Sequence, residues 1–153
     1  MSKMSSSAAD EILRASKSVL VIDFPSRDVP ESLARAGLAV TVHGGPEPDN
    51  YAIFELCHGG QVNPHRTGRP PESADLVYTH RPLGELGGII AQARALGARA
   101  LWLQSGRRPG GDLDPTGTWL PEEDSQAARR LVEAAGLIYI DDVYICTAAQ
   151  NRG

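Results

Sequence analysis

Hydrophobic residues in this chain gather in short runs that alternate with amphipathic segments. The runs at Ser18–Phe24 and Leu38–His43 are rich in β-branched residues and lack polar alternation, which is typical of strands buried on both faces. Three similar runs follow at Ala74–His80, Arg99–Gln104 and Leu137–Asp141, the last extending at most through Ile145. The pattern predicts five buried strands.

The segments between these runs have the apolar spacing of helices. Predicted helices cover Asp10–Lys17, Pro30–Ala36, Leu86–Leu96 and Glu122–Ala135. Gly37, Gly97 and Gly136 each stand between a helix and the next strand, as a tight helix-to-strand turn requires. Regular strand–helix alternation indicates an α/β fold, a Rossmann-like, doubly wound and mostly parallel sheet with helices on both faces.

One stretch departs from this alternation. Tyr51–Leu56 and Gln61–Arg66 flank Cys57–Gly60, which predicts an inserted antiparallel β-hairpin at the edge of the sheet. A Gly/Pro segment, 68–71, then returns the chain to the parallel pattern. We expect a disordered tail at residues 1–9, a single domain at 10–146 and a C-terminal tail at 147–153.

Length and charge narrow the class of protein. The chain has 153 residues, the size of one domain, and its 15 basic and 19 acidic residues give a net charge of −4. This balance disfavours a nucleic-acid-binding domain, and the apolar runs are too short to span a membrane. The first residues lack the apolar segment of a secretory signal and only two cysteines occur, so we expect a cytoplasmic protein.

Candidate binding residues follow the predicted strands, because ligands of open α/β sheets bind beyond the carboxyl ends of the strands. They are Phe24, Pro25, Ser26, Arg27, His43, Gly44, Gly45, His80, Arg81, Pro82, Gln104, Ser105 and Gly106. These residues belong to four loops, at 24–27, 43–45, 80–82 and 104–106. Three of the loops carry arginine: Arg27 in the first, Arg81 in the third, and Arg107 and Arg108 directly after the residues of the fourth. Clustered arginines suit a polyanion such as a nucleotide phosphate. The alternative is that they are solvated loop arginines that bind backbone carbonyl groups.

Several common activities lack their motifs. The first predicted strand is not followed by Gly-x-Gly-x-x-Gly, and no phosphate-binding loop of the Gly-Lys-Ser/Thr type occurs, which disfavours NAD, FAD and ATP chemistry. Asp23 and His80 end two strands that should be neighbours and could form an acid–base pair, or simply a polar plug. Cys57, His58 and His65 could bind zinc, but their irregular spacing favours surface residues, and we predict neither a metal site nor a catalytic residue.

Four stretches resemble the CoA-binding domain family, the Rossmann-like domain also found in the alpha subunit of succinyl-CoA synthetase. They are Ile12–Val19, Leu33–Val40, Ala74–Val77 leading to Arg81-Pro82, and Gly97–Gly106, with its Trp-Leu-Gln-Ser-Gly sequence. The resemblance implies that this chain is a stand-alone domain that binds CoA, an acyl-CoA or a related nucleotide without catalysis.

The sequence departs from that family after the first strand, where the family has small residues and this chain has Asp23-Phe24-Pro25. A carboxylate repels a pyrophosphate, and Pro25 offers no N–H group. The alternative is therefore a degenerate Rossmann scaffold whose phosphate loop is blocked and which binds a protein. The hairpin and the loop at 107–121 leave a homodimer or another protein partner open.

Overall fold

The computed structural model describes residues 2–44, 47 and 49–151, and within them the chain forms seven strands and five α-helices. The strands are β1 (Ser18–Ile22), β2 (Ala39–His43), β3 (Tyr51–Leu56), β4 (Val62–Arg66), β5 (Leu76–Thr79), β6 (Ala100–Leu103) and β7 (Ile138–Ile140). The helices are α1 (Ser2–Ala15), α2 (Asp28–Arg35), α3 (Leu86–Ala95), α4 (Glu122–Ala134) and α5 (Ile145–Gln150). A 3-10 turn at Leu83–Glu85 leads into α3.

All seven strands form one sheet in the order β4-β3-β2-β1-β5-β6-β7. Strands β2, β1, β5, β6 and β7 are parallel, and β3 and β4 add an antiparallel hairpin at one edge. The predicted Rossmann-like fold and the inserted hairpin are both confirmed.

Two apolar layers cover the sheet, as expected of a doubly wound fold. Side chains of α1, α2 and α5 pack on one face around Leu33, Tyr78 and Trp102, and side chains of α3 and α4 pack on the other around Leu20 and Leu101. β1, β5 and β6 are almost wholly buried, which explains their unbroken apolar sequences. Among the described residues, none of the helices combines the length and the apolar character needed to span a membrane.

Both ends of the chain contain helix. α1 begins at Ser2, within the stretch 1–9 where we expect a tail, and it buries Ala9 and Leu13. At the other end, β7 stops at Ile140, short of an extension through Ile145, and α5 covers residues 145–150, across the expected start of the C-terminal tail at 147. α5 forms because Ile145, Cys146, Ala148 and Ala149 lie on one face and pack into the core.

Candidate functional site

The carboxyl ends of the parallel strands place the predicted loops along one edge of the sheet. Ile22 of β1 pairs with both His43 of β2 and Thr79 of β5, and Thr79 pairs in turn with Leu103 of β6. The residues that follow these positions are the candidates identified from the sequence. We call this edge the strand-end site, defined by residues 23–27, 43–44, 80–82 and 104–106; Gly45 lies outside the described residues.

The loop between β1 and α2 binds three backbone N–H groups with its own oxygen atoms. Asp23 has a φ of 62°, and its carboxylate oxygen Oδ1 accepts the Phe24 N–H at 2.8 Å. Pro25 has no N–H, and the side-chain and backbone oxygens of Ser26 accept the N–H groups of Asp28 and Val29 at 3.2 and 3.1 Å. An anion at this turn would have to displace these internal acceptors.

Arg81, after β5, is held between two carboxylates. Its Nη1 donates to Asp23 Oδ2 at 3.2 Å, while Nε and Nη2 donate to the two oxygens of Glu85 at 3.1 and 2.6 Å. The hydrogen bonds that Arg81 donates to Glu85, and then to Asp23, raise the pKa of Arg81, and the hydrogen bonds with Arg81 lower the pKa of Glu85. The Arg81 side chain is 41% exposed, so solvent and a ligand can reach it.

Arg27 connects α2 to the hairpin. Its Nε donates to Glu31 at 2.5 Å, its Nη2 donates to the Val62 carbonyl at 3.4 Å, and its guanidinium lies 5.3 Å from the centre of the Phe54 ring. Phe24 is half-buried and packs against the same core layer. Arg27 therefore matches the alternative interpretation in one respect, since its guanidinium binds a backbone carbonyl group.

The two later arginines are also engaged within their own loop. Arg107 donates to the Gly111 carbonyl at 2.6 Å, and Arg108 lies 3.4 Å from the Asp112 carboxylate. These contacts orient both side chains within the segment 105–121. Arg81 directly follows a strand end, so it is a better candidate than Arg107 or Arg108 to bind an anion at the strand-end site.

At the end of β2, His43 stacks on Tyr51 of the hairpin with ring centres 4.4 Å apart. The His43 Nε2 atom lies 3.2 Å from the Glu47 carbonyl, and the Gly44 N–H donates to the Asn50 carbonyl at 3.2 Å. The Tyr51 hydroxyl accepts a hydrogen bond from Gln92 of α3. The hairpin thus meets the strand-end site through His43.

His80 and Gly106 form a close contact between the ends of β5 and β6. His80 Nδ1 lies 2.9 Å from the Gln104 carbonyl, and because a carbonyl only accepts, Nδ1 carries the proton. Gly106 has a φ of 68°, and a Cβ added there would overlap the His80 ring. The hydrogen bonds of Asp23 and His80 go to other partners, to Arg81 and to the Gln104 carbonyl, which agrees better with the polar plug than with the acid–base pair.

The buried Gln104 side chain fixes the long loop that follows β6. Its oxygen accepts the Tyr78 hydroxyl, and its Nε2 donates to the carbonyls of Pro115 and Gly117 at 2.8 and 3.1 Å. Ser105 accepts the Arg107 N–H at 3.2 Å, so the turn after β6 is also internally bonded. Pro82 caps the 3-10 turn that leads into α3.

The sequence prediction missed three groups at this edge. Glu85 was detectable from its spacing of four residues from Arg81, a common helical ion pair. Tyr78 was not detectable as the partner of Gln104, because strand register decides that contact. Asp141, buried after β7, accepts hydrogen bonds from Ser125 and Tyr139 and ties the start of α4 to the sheet.

The zinc alternative finds no support in the hairpin. Cys57 contacts the Glu55 carbonyl and the Asn63 amide, and His65 lies 3.8 Å from the Glu55 carboxylate. In the part of the chain that the structure describes, no three His, Cys, Asp or Glu side chains cluster as metal ligands would.

Comparison with known proteins agrees with this architecture. Residues 23–149 match the CoA binding domain, so the chain belongs to the CoA-binding domain family. Two solved structures share the fold. Prb, the PH1109 protein redesigned for binding, has a TM-score of 0.60 at 19% identity, over 96% of this chain and 91% of that one. Cell-free ID.343 from Thermus thermophilus has a TM-score of 0.56 at 18% identity, over 97% and 98%. No curated protein sequence matches the chain significantly.

The residues present fit CoA at one part of the strand-end site. The β1–α2 loop is a poor cradle for a pyrophosphate, since the N–H groups of Phe24, Asp28 and Val29 are bonded within it and Asp23 adds a negative charge. Arg81 suits a phosphate, because its ion pairs with Asp23 and Glu85 are exposed and such pairs contribute only about 0–1 kcal/mol. A phosphate would therefore be held by guanidinium side chains more than by loop amides.

Proposed function

We propose that this protein binds CoA, or an acyl-CoA or related nucleotide, reversibly and without catalysis at the strand-end site. The family match over residues 23–149 carries this proposal, and the fold supports it by gathering four strand-end loops at one edge. Arg81 and Arg27 would provide the positive charge for the ligand phosphates.

The contacts of the reactive side chains support a binding role over a catalytic one. Burial raises the pKa of the Cys146 thiol, which favours the less nucleophilic protonated form. His80 lies beside a carbonyl and a glycine, and the Asp23 carboxylate is bound to Arg81. Among these candidates, no nucleophile has a neighbouring base that would activate it.

Calorimetry with CoA, acetyl-CoA, NAD and AMP tests the proposal. We expect CoA and acetyl-CoA to bind, and Arg81→Ala to weaken binding by about 1–3 kcal/mol because a charge-assisted hydrogen bond to phosphate is lost. Arg27→Ala should weaken it in the same direction. Arg129→Ala, which breaks an ion pair with Glu133 on α4, is the matched control and should leave affinity unchanged. Failure of all four ligands to bind at millimolar concentration would contradict the proposal.

A degenerate scaffold that binds a protein is the second candidate, and the Asp23 carboxylate, which neutralises Arg81 at the strand-end site, favours it. Such a protein would present its hairpin, its 107–121 loop or the free edge of β7 to a partner or to a second copy. A groove of about 320 Å³ runs along β7, where Ile138 is 46% exposed. Absence of ligand binding together with a dimer in light scattering would favour this candidate.

A further inference from the structure

The Asp23 carboxylate occupies a position that suits an anionic ligand group. Its two oxygens accept one backbone N–H, from Phe24 at 2.8 Å, and one guanidinium N–H, from Arg81 at 3.2 Å. Both are donors that commonly bind phosphate, and they converge where a strand turns into a helix. Asp23 reaches them from a φ of 62°, a conformation that residues other than glycine rarely adopt.

We propose that Asp23 is a specificity-determining residue: its carboxylate acts as an internal competitor that a ligand phosphate must displace from Arg81. This inference rests on the proposed function, since it concerns the same ligand at the same site. The bound ligand and the Asp23–Arg81 ion pair exclude one another.

The second partner of Arg81 makes the exchange feasible. Glu85 holds Arg81 through two hydrogen bonds of 3.1 and 2.6 Å from the other side, so the guanidinium stays oriented when Asp23 leaves. The Asp23–Arg81 pair is about 40% exposed at both ends, which makes it weak. A ligand phosphate with two negative charges binds Arg81 more strongly than a ligand carboxylate with one. It therefore displaces Asp23 more readily, and the site selects ligands that carry phosphate.

The test compares the wild type with Asp23→Asn. Asparagine also adopts positive φ and can still accept the Phe24 N–H, but it lacks the charge that holds Arg81. We expect CoA to bind the variant roughly fivefold more tightly, the scale of one exposed ion pair. Pantetheine, which carries no phosphate, should bind both proteins equally.

Two further variants test whether the effect of Asp23→Asn comes from the position of the Asp23 charge or only from the change in the net charge of the protein. Glu133→Gln removes a negative charge on α4, beyond the strand-end site, and should leave CoA affinity unchanged. Glu85→Gln removes a charge beside Arg81 but leaves the Asp23 carboxylate on the guanidinium, and should tighten CoA binding less than Asp23→Asn. Equal gains for Asp23→Asn and Glu85→Gln would overturn the positional role.

The outcomes also separate this inference from the proposed function. Wild-type binding with no gain in Asp23→Asn overturns the inference and leaves the function. Binding by Asp23→Asn alone overturns CoA binding by the natural chain and the inference with it, since the carboxylate would then block the site and no ligand would displace it. Binding by neither protein overturns both. Matching circular dichroism spectra and melting temperatures would show that the variants are folded.

Discussion

Single residues at the strand-end site are held by short networks of hydrogen bonds and ion pairs. Gln104 uses its two amide protons on two loop carbonyls and its oxygen on the Tyr78 hydroxyl, so the amide has one orientation. Gly106 fits beside His80 because it has no Cβ and adopts a positive φ. Each network depends on one residue type, which makes single substitutions informative.

Replacing Gly106 by alanine should destabilise the protein through two effects. Positive φ alone costs an alanine about 1–2 kcal/mol, and the overlap of the new methyl with His80 should add about 1–3 kcal/mol. Gly97→Ala is the matched control, since Gly97 has a φ of 77° and open space around its Cα. Urea unfolding measures both variants, and equal losses of free energy would show that the His80 contact contributes nothing.

Tyr139 should make the protein less stable in alkali. Burial, and then the negative charge of Asp141, raise its pKa well above the ordinary value of 10.0. Folded Tyr139 therefore keeps its proton at a pH where the unfolded chain loses it. Its contribution to stability is complete below pH 10 and is lost as the pH rises toward the folded pKa.

Tyr139→Phe removes this titration and the 2.9 Å hydrogen bond to Asp141. We expect the variant to lose about 1.5–3 kcal/mol of unfolding free energy at pH 8, as for a hydrogen bond to a charged group. Between pH 10 and about 11 its stability should fall less steeply than that of the wild type. Urea midpoints across this range measure the difference, and parallel curves would contradict the assignment to Tyr139.

At the scale of elements, the 105–121 loop is an ordered segment attached to β5 and β6. Inside it, the Gly106 N–H donates to Gly117, the Asp114 N–H donates to Gly106, and the Trp119 N–H donates to Arg107. The Gln104 side chain connects the end of β6 to this loop through its hydrogen bonds to the Pro115 and Gly117 carbonyls. The loop therefore resembles a folded cover over the end of β6 more than an open lid.

Gln104→Leu should loosen this loop before it affects the rest of the sheet. Leucine has similar size but leaves the Tyr78 hydroxyl and the Pro115 carbonyl without this partner, at a cost of about 1–3 kcal/mol for each group that stays buried. Hydrogen exchange of the Gly106 and Gly117 amides should accelerate. Gln92→Leu, which removes a half-buried hydrogen bond to Tyr51, is the control and should leave exchange in this loop unchanged.

For the whole molecule, sheet topology was predictable because it follows from local signals. Buried β-branched runs and the glycines at 37, 97 and 136 mark each passage from helix to strand. Once the strands are parallel, their carboxyl ends must lie at one edge, so the candidate loops could be identified without coordinates.

The contacts within the strand-end site could not be predicted in the same way. Asp23 binds Arg81 from a backbone with a positive φ after β1, and strand composition does not report this angle. α5 escaped prediction because six residues are too few to show helical periodicity beside a strand-like apolar run. The hydrogen-bond partners of a side chain depend on strand register and on backbone φ, whereas the fold class follows from the hydrophobic pattern of the sequence.

The mixed sheet has a consequence for how the chain folds. The hairpin joins residues close in sequence, with Leu56 opposite Val62, whereas β1 pairs with β5 at a much larger sequence separation, with Val19 opposite Leu76. Closing the longer loop costs more chain entropy, so we expect β3 and β4 to pair early and the central β1–β5 pairing to form late. The strand-end site straddles β1 and β5, so its assembly belongs to the last, slowest stage of folding.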